Sequence, residues 1–141
     1  MADSFGSTFT IRPIGHVESP LRSTADAPRQ GDEGAPPAYL ILDSEVRAGL
    51  DGIAVGDEII VLTWLHEADR RVLTVHPRGD LTRAEQGVFS TRAPSRPNPI
   101  GLHRVRVLSL DGIRIQVSGL EAIDGTPIVD LKPVLGNVDE R

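Results

Sequence analysis

The sequence predicts an all-β protein, a small β-barrel of about seven strands with one or two short helices. Three observations carry that prediction. Short β-branched or alternating segments follow one another along most of the chain, separated by Gly, Pro, Asn and Asp turn signals. No alternation of strand and helix patterns is visible, which excludes a doubly wound parallel sheet. No GxGxxG or GxxxxGK[ST] occurs, so neither common nucleotide-binding turn is present.

Residues 1–8 are small and polar and are expected to be disordered. FTIRPIGHVESP, from Phe9 to Pro20, reads as a strand broken by Pro13, placed at an edge because proline cannot donate to a ladder. STADAPRQGDEGAPP, residues 23 to 37, is a long loop of the kind that carries function or lacks fixed structure. AYLILD is a strand. SEVRAGLDGI suits a short helix with Ser44 as its N-cap and Gly52 near its end. DEIIVLTWLHE, from Asp57 to Glu67, is a continuous apolar strand expected to be buried on both faces at its centre. RRVLTVHPR reads as a strand, LTRAEQ as one helical turn and GVFSTR as a further strand. In GLHRVRVLSL the apolar Leu102, Val105, Val107 and Leu108 alternate imperfectly, and His103, Arg104 and Arg106 are expected on the polar side. Asp111-Gly112 then joins this strand to IRIQVSGL, the strongest short hairpin signal in the chain. TPIVDLKPVL closes the domain, which is expected to span residues 9–136 with a tail at 137–141.

Composition narrows the function classes. With 141 residues, 39% hydrophobic and 25% charged, the chain reads as one globular domain with a real core. No apolar run approaches the roughly 18 residues that span a bilayer. The N-terminus lacks the basic and apolar regions of a secretory signal. The absence of cysteine excludes disulfides, thiol nucleophiles and thiolate metal sites, and fits the cytoplasm. His16, His76 and His103 share no metal-site spacing, so no metal is expected. The net charge of −5 argues against binding nucleic acid through bulk charge. Yet eight arginines and two acids between Arg70 and Arg106 give that region +6, which leaves −11 for the rest. A GC-rich genome accounts for the excess of arginine over lysine, but not for the clustering.

Within the cluster, TRAPSRPNPIG places Arg92, Ser95, Arg96 and Asn98 among Pro94, Pro97 and Pro99. The prolines exclude a helix and bias the preceding residues toward extended backbone. Such a loop is stiff before any ligand arrives, which suits a binding site and equally suits a rigid corner.

These residues resemble the signature of the TsaA-like (TrmO) family of S-adenosylmethionine-dependent methyltransferases. GVFSTRAPSRPNPIGL, IGHVESP, APRQ and LEAIDGTPIVDLKP match in the family's order, from about residue 9 to residue 135. The resemblance implies a small β-barrel, a homodimer with S-adenosylmethionine bound near the subunit interface, and methylation of N6 of threonylcarbamoyladenosine beside a tRNA anticodon. It implies cofactor contacts from Arg29, Gln30, His66, Glu67, Arg92, Leu102, Gly119, Leu120 and Glu121, with Leu65 and Leu102 packing on adenine. A guanidinium, Arg29 or Arg92, suits the cofactor carboxylate. Glu121 suits a ribose hydroxyl or an amino group. Glu67 departs from the glutamine expected after the histidine and adds a charge there.

A ureido N6 is a poor nucleophile until it loses a proton, so a base or orienting group is expected. Asp124 and Asp130 are the candidates. Arg92, Arg96 and Asn98 are placed at the acceptor, where an arginine would hold a carboxylate or an RNA phosphate. Longer members carry a C-terminal domain with a role in tRNA recognition, and this sequence is expected to be the short form without it. Two alternatives stand beside the tRNA reading: a methyltransferase of the same fold acting on a small molecule or another acceptor, and a non-catalytic S-adenosylmethionine-binding protein.

Overall fold

A computed structural model describes residues 6–21 and 36–136. The expectations for residues 1–5, for Arg29 and Gln30 and for the tail at 137–141 lie outside the described residues.

Six antiparallel strands close into a barrel: β1 (Gly15–Glu18), β2 (Ala38–Leu42), β3 (Glu58–Trp64), β6 (Ile100–Asp111), β7 (Arg114–Ser118) and β8 (Pro127–Pro133). Their order around the ring is β1-β2-β7-β6-β3-β8. Two further strands, β4 (Thr74–Val75) and β5 (Gln86–Gly87), pair only with each other in an arm outside the ring. Helix among the described residues is confined to 3₁₀ segments at Ser44–Leu50, Pro77–Gly79 and Val88–Ser90. The core is built from alternate residues of each strand, with Val17, Leu40, Val61, Val105, Val107, Ile115, Val117 and Ile128 all at or near zero exposure. Leu120 and Ala122, from the β7–β8 connection, complete it.

Several local expectations give way to tertiary context. β1 starts after Pro13 and is paired on both sides, with β2 and with β8, so it is not an edge strand. The first 3₁₀ segment takes Asp43, not Ser44, as N-cap, with no side-chain cap bond. β3 alternates instead of burying both faces: Ile59, Val61 and Thr63 point into the barrel, while Ile60, Leu62 and Trp64 are half-buried outside. RRVLTVHPR supplies only the two residues of β4, because nothing beyond β5 lies alongside to pair with it. LTRAEQ forms no helical turn; Asp80 accepts from the Thr82 amide at 2.9 Å and its hydroxyl at 2.6 Å, which favours a local turn. GVFSTR is strand only at Gly87. Ser90 and Thr91 hydroxyls donate to the carbonyls three residues earlier, at 2.8 and 3.0 Å, and draw the chain into the 3₁₀ turn.

β6 explains the imperfect alternation of its sequence. Val107 faces Val117 and Ser109 faces Gln116, so Leu108 is the extra residue of a bulge and the phase resets there. Before the bulge, Gly101, His103, Val105 and Val107 point inward, and Leu102, Arg104 and Arg106 outward. His103 is thus in the core, not on the polar side. Keeping two guanidiniums in water sets the phase, since burying a hydrogen-bonded imidazole costs less than burying unpaired arginines. The Asp111-Gly112 hairpin forms as expected, with Gly112 at φ 61°.

Candidate functional site

The site is assembled around the proline loop, residues 91 to 99. Two arginines hold this loop from within. Arg96 turns its guanidinium inward: Nη2 donates to the carbonyl of Val88 and, at 2.5 Å, to that of Thr91. Its Nε is buried and has no partner among the described residues. Arg70 reaches in from the arm, donating from Nε to the Pro97 carbonyl at 2.7 Å and from Nη2 to Asn98 Oδ1 at 2.9 Å. Its guanidinium lies 5.2 Å from the centroid of the Trp64 ring. Ser95 Oγ accepts from the Asp69 amide at 3.0 Å, and the buried Pro99 accepts from the Leu65 amide at 2.8 Å. Arg96, Asn98 and Ser95 therefore bind the loop together. Exposed Arg92 has no hydrogen-bond or ion-pair partner among the described residues.

Arg92 opens onto a cleft of about 440 Å³, lined also by Leu102, Arg104, Arg106, Gly119 and Glu121. Register brings these together: β3 against β6 sets Leu62 opposite Leu102, and β6 against β7 brings Arg106 beside Ser118. Two of the three arginines at the cleft share one carboxylate. Glu58 receives Arg104 through Nε at 2.9 Å and Nη2 at 3.2 Å, and Arg106 stands 3.9 Å away. The Arg104 hydrogen bonds hold the Glu58 carboxyl below the usual glutamate range, and the pair raises the Arg104 guanidinium. Arg92 is the arginine of the three with no carboxylate partner among the described residues. Glu121, at the inner wall, is bound by His103: Nδ1 lies 2.6 Å from Oε1, and Nε2 lies 2.7 Å from Thr63 Oγ1. The order hydroxyl–imidazole–carboxylate resembles a hydrolase triad, but Thr63 is fully buried and no substrate carbonyl can reach it.

Four of the cofactor residues expected from sequence, Arg92, Leu102, Gly119 and Glu121, thus share one cleft. Leu120, between two of them, is fully buried and anchors the segment. Leu65, His66 and Glu67 follow β3 and do not line the cleft; His66 Nε2 lies 3.9 Å from Glu67 Oε2. Asp124 also stands apart, accepting from the Ser19 amide at 3.0 Å and donating its own amide to Leu21. Asp130 is engaged on the outer side of β8 by Lys132 at 3.1 Å and by the Leu131 amide at 2.9 Å. A larger cleft, about 910 Å³, lies between residues 49–59 and 131–136, but none of the expected residues lines it. His103 and Thr63 were not legible as site residues. The signal that would have found them is the phase of β6, set by Arg104 and Arg106.

The arginine cluster is largely structural. Arg70 and Arg96 brace the loop, Arg104 and Arg106 meet Glu58, and Arg71 pairs with Asp69 at 3.3 Å. Among the described residues there is no metal-binding group of His, Cys, Asp or Glu, and no helix long and apolar enough to cross a membrane.

Comparison with known proteins gives a consistent result. Residues 16–140 match the model of the tRNA-methyltransferase O N-terminal domain. A probable S-adenosyl-L-methionine-binding protein of Methanothermobacter thermautotrophicus is 45% identical over 129 residues, covering 92% of each chain. An S-adenosyl-L-methionine-binding protein of Archaeoglobus fulgidus is 42% identical, covering 92% of this chain and 91% of that protein. The crystal structure of TrmO from Pseudomonas aeruginosa superposes with a TM-score of 0.72 at 29% identity. That match covers 96% of this chain but 62% of the solved one, so the chain spans about three-fifths of that protein's length.

Proposed function

The chain belongs to the family of the tRNA-methyltransferase O N-terminal domain, and from that premise we propose that it is an S-adenosylmethionine-dependent methyltransferase whose cofactor binds in the cleft between Arg92 and Glu121. The observation that carries the reading is the placing of one guanidinium, with no carboxylate partner among the described residues, across a cleft of about 440 Å³ from one braced carboxylate. That volume lies within the roughly 300–1,000 Å³ usual for small-ligand sites. The donor set fits the cofactor. Arg92 offers two parallel N–H donors to a carboxylate, Leu102 is 46% exposed and offers an apolar surface, and Glu121 offers an acceptor to hydroxyl or amino groups.

When bound, S-adenosylmethionine supplies a methyl group already activated by its sulfonium, so the protein's task is alignment and exclusion of water. Arg92 fixes one end of the ligand and Glu121 the other, while the braced proline loop holds Arg92 with little further ordering on binding. Removal of the acceptor proton is assigned in this reading to the sequence candidates Asp124 and Asp130, each already accepting a backbone amide, Asp124 from Ser19 and Asp130 from Leu131. His66, Glu67, Arg29 and Gln30 remain cofactor contacts by family resemblance, and Asn98 and Arg96 shape the loop on the acceptor side.

The acceptor we propose is N6 of threonylcarbamoyladenosine in tRNA, supported by the family match. A homodimer is part of the proposal. The outward stripe of Ile60, Leu62 and Trp64 on β3 beside Ile100 and Leu102 on β6 supports it. A second reading, methylation of a small molecule, is favoured by the arginines: at least five of the eight in the positive region are engaged within the fold instead of being left for phosphates.

The test is calorimetric titration with S-adenosylmethionine, followed by labelled cofactor with total tRNA lacking the methyl mark. Label in tRNA supports the first acceptor. Binding without label moves the acceptor to small molecules. No binding removes the cofactor reading.

A further inference from the structure

The chain of contacts behind Glu121 runs in one direction. An ionised Glu121 has only acceptors, so His103 Nδ1, 2.6 Å from Oε1, carries a proton. In a neutral ring Nε2 is then an acceptor, and Thr63 Oγ1, 2.7 Å away, donates to it. Thr63 is 0% exposed and His103 4%, so neither has water to turn to. Swinging the ring over would break both bonds at once. The backbone is fixed as well: Leu120 and Ala122, on either side of Glu121, are core residues. Gly101 is the neighbour that makes room. A Cβ there would overlap Thr63 Oγ1 and His103 Nε2.

Glu121 is 19% exposed at its side chain, and no described residue hydrogen-bonds its second oxygen. We propose that Thr63 and His103 are positioning residues that hold Glu121 as a singly oriented acceptor at the cleft, with Oε2 left for a hydroxyl or amino donor of the ligand. A glutamate on an open surface keeps rotamer freedom that ligand binding must remove; here the fold has removed it beforehand. The proposal rests on the reading of the cleft as the cofactor site, and the wiring itself is testable without ligand.

Nitrogen-15 NMR of the histidine rings in the free, full-length protein tests the wiring. A protonated Nδ1 with a bare Nε2 is expected for His103. An Nε2–H tautomer or a doubly protonated ring overturns it. Titration with S-adenosylmethionine tests the role. His103→Leu removes the bond to Glu121 and is expected to weaken binding about tenfold or more. His103→Asn places an amide N–H near the Nδ1 position and is expected to restore most of the affinity. Thr63→Val keeps the volume, and its expected signature is a mixture of His103 tautomers with a loss of about threefold. Wild-type affinity in folded His103→Leu overturns the role. So does an equal loss in both His103 variants that follows a fall in melting temperature. If His103→Leu does not fold, the Asn variant and the tautomer decide. Failure of the unaltered protein to bind S-adenosylmethionine would sink the cofactor reading, while the NMR result still stands on its own.

Discussion

Arg96 Nη2 lies 2.5 Å from the carbonyl oxygen of Thr91, five residues earlier in the same loop. An arginine that opens the RPNP sequence thus closes the loop on itself and leaves Arg92 as the loop's exposed arginine. Arg96→Ala is expected to destabilise the fold by about 2–4 kcal/mol, since it removes charge-assisted hydrogen bonds from two carbonyls in a partly buried setting. Urea denaturation measures this. A loss under about 0.5 kcal/mol, the range of ordinary surface changes, would contradict the bracing role.

Arg92→Ala should behave in the opposite way. The side chain is exposed and has no polar partner among the described residues, so stability is expected to change by less than about 0.5 kcal/mol. Cofactor affinity is expected to fall tenfold or more, as for loss of a charge-assisted hydrogen bond to a ligand carboxylate. Calorimetry on a variant with an unaltered melting curve checks both halves. Unchanged affinity would remove Arg92 from the site.

Gly101→Ala introduces a methyl group where Thr63 and His103 already meet. Overpacking of this kind costs about 1–3 kcal/mol, and here it would also part the hydroxyl from the imidazole. Denaturation should show the loss, and the His103 ring nitrogens should show the broken contact.

The Glu58–Arg104 pair predicts a pH dependence of stability. The folded-state carboxyl of Glu58 is lowered, so its contribution is complete above the ordinary glutamate range and is lost as pH falls through the lower, folded value. Wild type should therefore exceed Glu58→Gln in stability near neutral pH, and the gap should close in acid. Both side chains are exposed, so salt should narrow the gap as well. A gap that persists at low pH, measured by thermal melts across pH, would show that Arg104 acts on stability by packing alone.

Asp124→Asn separates binding from chemistry. This candidate base lies outside the cleft, so cofactor affinity should stay within about twofold while turnover falls roughly 10²-fold or more. Equal turnover in labelled-methyl transfer would exclude the role.

Strands whose pattern is repeated by a partner were legible in the sequence. β2, β7 and β8 fall where their apolar positions place them, and the Asp111-Gly112 turn follows from the positive φ that glycine allows. The arm from Ala68 to Ser90 was not legible, because its β-branched residues read as strand and only a partner segment decides how much of them pairs. His103 was misplaced for a related reason. Flanking arginines made it look solvent-facing, whereas inward direction on β6 depends on register with β3. The candidate cleft was legible only as a set of family positions. Its inner wall, Thr63 with His103, is a meeting of residues 40 apart in sequence that no local pattern announces.

Closure of the ring has a consequence for how the protein is made. The seam between β1 and β8 pairs Gly15 with Ile128 and His16 with Pro127, nearly the whole domain apart in sequence. The first strand synthesised therefore waits for the last before both of its sides are paired. Folding dominated by such distant partners is slow, on the order of milliseconds to seconds. On the ribosome, the barrel cannot be completed until residue 128 has cleared the exit tunnel. Until then, unpaired amides along β1 and β3 are open to neighbouring nascent chains.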